Sequence, residues 1–138
     1  MGDAVDGRGR SSGQSSAELA QIRIAAIVPC HNEEAAVGKV VRDLRAAVPS
    51  MDIYVYDNLS TDATVDRARE AGAIVRHEEV KGKGNVVRRA FGDVDADVYL
   101  LIDGDDTYDA AASDTMIRTL LAGPYDHVLG VREPVINA

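Results

Sequence analysis

The stretch Val98-Tyr99-Leu100-Leu101-Ile102-Asp103-Gly104-Asp105-Asp106 decides the fold. Its first five residues are apolar apart from the tyrosine hydroxyl, which predicts a buried strand of a parallel sheet. Such a strand delivers the residues after it to the carboxyl edge of the sheet, where open α/β folds bind their ligands. Here it delivers three aspartates in four residues, with Asp109 close behind. Two unit charges about 4 Å apart repel by roughly 1 kcal/mol in water and roughly 4 kcal/mol near a protein surface. The cluster therefore calls for positive charge among the carboxylates. An Mg²⁺ or Mn²⁺ ion, which takes oxygen ligands and carries substrate phosphates with it, is the economical choice. A solvated acidic turn is the plain alternative for any isolated Asp-x-Asp, and the rest of the chain weighs against it.

Outward from this stretch the pattern alternates between strands and helices. Strands are expected over Ile22–Val28, ending at Pro29, and over Asp52–Tyr56, Ala73–Arg76, Val98–Ile102 and Val128–Val131. Helices are expected over Glu34–Val48, Thr61–Ala71, Gly84–Phe91 and Ala110–Ala122. In the first helix Val37, Val40, Val41, Leu44 and Val48 recur at three- and four-residue spacing on one face. Gly72 stands where a left-handed helix cap belongs. The fold class is α/β, a mostly parallel sheet with helices on both faces. Ile22–Val28 and Val98–Ile102, the two most continuously apolar runs, are expected to be adjacent central strands. Residues 1–21, rich in Gly, Ser and charge, are expected to be a disordered tail, leaving 22–138 as one domain.

Composition narrows the function. With 23 acidic and 15 basic residues the net charge is −8, which argues against a nucleic-acid surface. An anionic ligand must then be met by a local positive site. The single cysteine, Cys30, excludes an internal disulfide and fits a reducing compartment. No apolar run approaches the roughly 20 residues of a membrane span, and the N-terminus lacks a signal pattern. The expected location is cytoplasmic, with a full-length form at the cytoplasmic face of the membrane as an extension of that reading.

The polar residues cluster after the strands. His31, Asn32 and Glu33 follow the first, Asp57, Asn58 and Ser60 the second, Lys81 and Lys83 the third, and Asp103, Asp105 and Asp106 the fourth. In a parallel sheet all four clusters share one edge, the geometry of a nucleotide site at a topological switch point.

Ile27-Val28-Pro29-Cys30-His31-Asn32-Glu33-Glu34, Asp57-Asn58-Leu59-Ser60-Thr61-Asp62, Gly82-Lys83-Gly84 and Asp103-Gly104-Asp105, in that order, resemble the motifs of the family 2 glycosyltransferases. Within that family the chain is similar to bacterial relatives of dolichol-phosphate mannosyltransferase. The resemblance implies a Rossmann-like GT-A fold and an inverting, metal-dependent transfer. The sugar would pass from a UDP- or GDP-linked donor to an acceptor such as polyprenyl phosphate. It implies that Pro29, Asn32 and Glu33 lie against the nucleoside, with Glu33 at the ribose hydroxyls, and that Asp57 reads the base edge. Lys83 would meet phosphate, Asp103 would contact the ribose or help hold the metal, and Asp105 would be the main ligand of Mg²⁺ or Mn²⁺. No catalytic base is assigned. The chain departs from the family pattern at His31, usually aromatic, and at Leu59, usually glycine or a small polar residue. It also stops at Ala138, where family members continue into an acceptor half, so the donor-binding half alone is expected.

Plainer readings stand beside these. Glu33 and Glu34 could serve a helix start, Asp57 a cap, and Lys81-Gly82-Lys83-Gly84 a solvated basic turn. Arg88 and Arg89 read as a solvated helix face, and His31 as a hydrogen-bonded loop histidine. His77, His127 and Cys30 are assigned no chemistry. Two rival functions remain. One is a nucleotide-binding fragment without turnover. The other is a phosphatase of the haloacid dehalogenase type, with Asp103 as nucleophile in Asp103-Gly104-Asp105-Asp106-Thr107.

Overall fold

The computed structural model describes residues 22–107, 109 and 112–123. Four strands alternate with four helices: β1 (Ile24–Cys30), α1 (Val37–Ala47), β2 (Asp52–Asp57), α2 (Thr64–Glu70), β3 (Ile74–His77), α3 (Lys83–Asp93), β4 (Val98–Leu101) and α4 (Ser113–Ala122). The strands form one parallel sheet in the order β3-β2-β1-β4. The expected tail over residues 1–21, the strand Val128–Val131 and the first residues of the helix expected from Ala110 lie outside the described residues.

Helices cover both faces, as expected. On one side Ile24, Ala26, Val28, Ile53, Val55 and Leu100 pack against Val37, Val40, Val41 and Leu44 of α1, Ala68 of α2 and Ile117 of α4. On the other, Ala25, Ile27 and Tyr56 pack against Val86 and Ala90 of α3. The alternation of odd and even residues along β1 between these two cores is the period-2 geometry of a strand. Every position of the predicted α1 stripe is buried.

Several boundaries differ from expectation, most by one or two residues. β1 runs through Pro29 to Cys30, with Pro29 opposite Tyr56 and Cys30 opposite Asp57. A proline costs the ladder one donor but keeps the extended φ. α1 begins at Val37 because residues 34–36 form a turn, in which the Ala36 and Val37 amides both donate to the Glu33 carbonyl. α2 begins at Thr64, since Asp62 Oδ1 accepts the Thr64 amide and so closes the turn before the helix. Its other end matches expectation. Gly72, at φ 99°, donates to the Arg69 carbonyl, and Ala73 donates to Ala68, the paired bonds of a Schellman cap.

β1 and β4 are adjacent and parallel, as expected, but β4 is the outer strand of the four described. Its even residue Leu100 is buried under α1 and α4, whereas Leu101 is 49% exposed. On that same face Tyr99 is only half-buried, its ring 4.8 Å from that of Phe91. Apolar continuity thus located the strand without telling how many neighbours it has.

Candidate functional site

Parallel pairing brings the ends of all four strands to one edge, and the predicted residues gather there. Cys30 is the buried centre of the group. Burial pushes its thiol up, and Glu33, Asp57, Asp103 and Asp105 push it further, so all four carboxylates act on one point. A thiol held protonated in this way is no nucleophile.

The turn after β1 is tied to the turn after β2. Asn32, at φ 54°, donates its amide to Ser60 Oγ (2.8 Å), and its Oδ1 accepts the Thr61 amide (2.8 Å). Asn32 therefore builds the junction with its own side chain. The Glu33 amide donates to buried Thr64 Oγ1 at 2.8 Å. The Glu33 carboxyl is raised above its usual range by partial burial first, then by Asp105 and Asp103, which sets it at the acidic cluster. Glu34 serves the neighbouring helix rather than its own: its Oε1 accepts the Ala63 amide at 2.8 Å, just ahead of α2. His31 is the hydrogen-bonded loop histidine expected, with Nδ1 donating to the Asn58 carbonyl at 2.7 Å.

Asp57 closes β2 and is 6% exposed. Its Oδ2 accepts the Ser60 amide at 3.4 Å and lies 3.7 Å from His77 Nδ1, while its Oδ1 is buried and has no hydrogen-bond partner among the described residues. Leaving such an oxygen unpaired costs about 1–3 kcal/mol, so Asp57 is more than a turn-former. His77, assigned nothing from sequence, stands opposite Asp57 in the β2–β3 register.

Lys83 opens α3, and its Nζ lies 2.5 Å from Asp103 Oδ1. The basic turn, exposed to solvent, is thus also joined to the acidic one. Asp105 Oδ1 accepts the Thr107 amide (3.1 Å) and hydroxyl (2.7 Å). Asp106, at φ 63°, is 3.3 Å from Lys39 on α1. Among the described residues no three His, Cys, Asp or Glu side chains gather as a metal cage. Two neighbouring carboxylates are nonetheless the protein share that fits Mg²⁺ or Mn²⁺ when phosphate oxygens complete the shell. The donor set fits a shared ion and does not fit a closed structural site.

One component had no signal in the sequence. Glu78 is buried and pairs with Arg89 (Nε–Oε1 2.6 Å), so Arg89, on the exposed helix face as expected, also holds a buried carboxylate. The Arg89 hydrogen bond holds the Glu78 carboxyl below its usual range, and the Val80 amide adds to that. Its partner lies across a loop, a contact that no local spacing encodes.

Known proteins resemble this chain along most of its length. The family model described as glycosyl transferase family 2 matches residues 25–137. Protein RfbJ of Shigella flexneri is 53% identical over 110 residues, covering 80% of this chain and 85% of RfbJ. The dolichyl-phosphate hexose transferase of Haloferax volcanii is 34% identical over 85 residues, covering 62% of this chain and 37% of that protein. Among solved structures, glucosyl-3-phosphoglycerate synthase from Mycobacterium tuberculosis in complex with Mn²⁺, UDP-glucose and phosphoglyceric acid superposes with a TM-score of 0.70 at 28% identity. That match covers 81% of this chain and 45% of the synthase. The match thus takes in most of RfbJ but less than half of the other two. The described sheet is the Rossmann-like part of that GT-A architecture.

Proposed function

The chain belongs to glycosyl transferase family 2, and on that premise we propose that residues 22–138 bind the donor of an inverting, metal-dependent glycosyltransferase. The donor is a UDP- or GDP-linked sugar and the acceptor a polyprenyl phosphate. The phosphatase reading of Asp103 falls with this membership. The single observation that carries the proposal is the convergence of Glu33, Asp57, the Lys83–Asp103 pair and Asp105 at one edge of the sheet. The UDP-glucose complex of the structural relative supports the donor class, and its Mn²⁺ supports the ion. The name of the Haloferax relative supports a lipid phosphate acceptor.

Each residue then has a task. Asp57 takes the N–H of the base, giving its buried Oδ1 the donor it lacks. Pro29 and Asn32 shape the turn against the nucleoside, and Glu33 receives the ribose hydroxyls. Lys83 meets the diphosphate, and Asp103 and Asp105 would hold Mg²⁺ or Mn²⁺, which when bound neutralises charge on the departing diphosphate. In the displacement an acceptor phosphate oxygen forms the new bond to the anomeric carbon. The bond from that carbon to the diphosphate breaks, and the diphosphate leaves with the electron pair. A phosphate monoester is already anionic near neutral pH, so this acceptor asks for no general base among the described residues.

Calorimetric titration of UDP and GDP, with and without Mn²⁺, tests the reading. Metal and nucleotide should strengthen each other's binding reciprocally, and Asp105→Ala should remove most of that coupling. Asp57→Ala should weaken nucleotide binding while leaving the metal dependence intact. Equal nucleotide affinity with and without metal overturns the assignment of Asp105.

A further inference from the structure

Asn58 is a buried amide, 6% exposed, at the centre of the loops that meet at the sheet edge. Its Nδ2 donates to the carbonyls of Glu78 (2.7 Å) and Val80 (3.0 Å), and its Oδ1 accepts the Gly82 amide at 2.9 Å. Its backbone amide donates to the Cys30 carbonyl at 2.8 Å, and its carbonyl accepts from His31. One residue therefore joins the turns after β1, β2 and β3. The segment it grips is held a second time from beneath, where Glu78 Oε2 accepts the Val80 amide (2.6 Å) and Oε1 pairs with Arg89. The grip ends on Gly82, whose φ of 126° belongs to glycine, and the next residue is Lys83.

We propose that Asn58 is a positioning residue: its amide sets the 78–82 segment so that the Lys83 ammonium is delivered to Asp103 and to the donor diphosphate. This rests on the function proposed above. The chemistry is specific to an amide, since the position needs two N–H donors and one acceptor on a short side chain. Aspartate keeps the acceptor for Gly82 and loses both donors, and it adds charge beside Asp57 and Glu78.

The test compares UDP with uridine, which lacks the diphosphate, across the parent chain, Lys83→Ala, Asn58→Asp and the double variant. Asn58→Asp should weaken UDP about tenfold, the loss expected from one charge-assisted contact, and weaken uridine, which meets only the charge added beside Asp57, much less. In the Lys83→Ala background it should weaken UDP no more than it weakens uridine. Equal losses for UDP and uridine, or additive losses in the double variant, overturn the proposal. Side-chain ammonium NMR reads the same link without nucleotide. The Lys83 signal should respond to Asp103→Asn in the parent chain and stop responding once Asn58→Asp is present; an unchanged response overturns the proposal. If Asn58→Asp does not fold, Gly82→Ala displaces the same turn, because its Cβ is strained at this φ and meets Asn85 Nδ2 at 3.3 Å. It must then reproduce the UDP-selective loss and the silent Lys83 signal, or the proposal fails. A parent chain that binds neither UDP nor GDP would count against the proposed function alone, since the NMR result stands apart from it.

Discussion

Gly104 lies against Cys30 so closely that a Cβ placed on it would stand 2.3 Å from the Cys30 sulfur. The Pro29 carbonyl oxygen would be 3.4 Å away and Val28 Cγ1 3.5 Å. The acidic turn is thus pressed onto the end of β1, and the glycine between Asp103 and Asp105 is there for space rather than for an unusual φ. This contact sets both aspartates relative to the turn that carries Asn32 and Glu33.

Gly104→Ala should therefore destabilise the protein by about 1–3 kcal/mol, the usual cost of overpacking. Cys30→Ala removes the atom in the way, so the double variant should recover part of the loss. Urea denaturation of the four chains checks this as a double-mutant cycle. Strictly additive losses would mean that the two residues do not press on each other.

Leu59 occupies φ 66° and is 44% exposed. A branched side chain in that region carries about 1–2 kcal/mol of strain, while asparagine visits it readily. Leu59→Asn should raise the thermal midpoint by a few degrees, as expected for a gain of about 1 kcal/mol in a domain of this size. Leu59→Val should lower it. Equal midpoints for the two variants would show that the turn relaxes to accommodate any residue.

Glu78 gives a pH signature. Its carboxyl is held below the usual range by Arg89 and the Val80 amide, so the native state favours the ionised form. That stabilisation is full above the unfolded-state value and is lost as pH falls through the lower, native one. Glu78→Gln should therefore be less stable than the parent at neutral pH, and the gap should close on acidification through that window. Paired denaturation curves across the acid range check it, and a pH-independent gap would refute it.

The acidic turn was legible because an apolar run leading into three aspartates is a local pattern, and parallel topology then fixed which edge it reaches. The Asn58 grip was not, because its partners are the backbone carbonyls of Glu78 and Val80 and the Gly82 amide. Backbone groups look alike in every sequence. The ion pair of exposed Arg89 was hidden for a related reason. The helical period places it away from the core of α3, and only the fold of the preceding loop sets a buried Glu78 beside it. The place of β4 in the sheet depends on neighbours that its own apolarity cannot count.

Glu33 joins electrostatics to metal binding. Partial burial and the charges of Asp105 and Asp103 raise its carboxyl above the usual range, so ionising it near neutral pH works against the folded state. A raised native value gives stability that is present below the unfolded-state value and is lost as pH rises through the native one. Glu33→Gln should thus stabilise the metal-free protein at neutral pH by less than about 1 kcal/mol, given solvent screening, and the gain should disappear on acidification. A divalent ion relieves the same repulsion, so Mn²⁺ should raise the thermal midpoint of the parent chain, as binding to the native state requires. The rise should be smaller in Glu33→Gln and smallest in Asp105→Ala. An Mn²⁺ effect of one size in all three chains would place the ion away from this edge of the sheet.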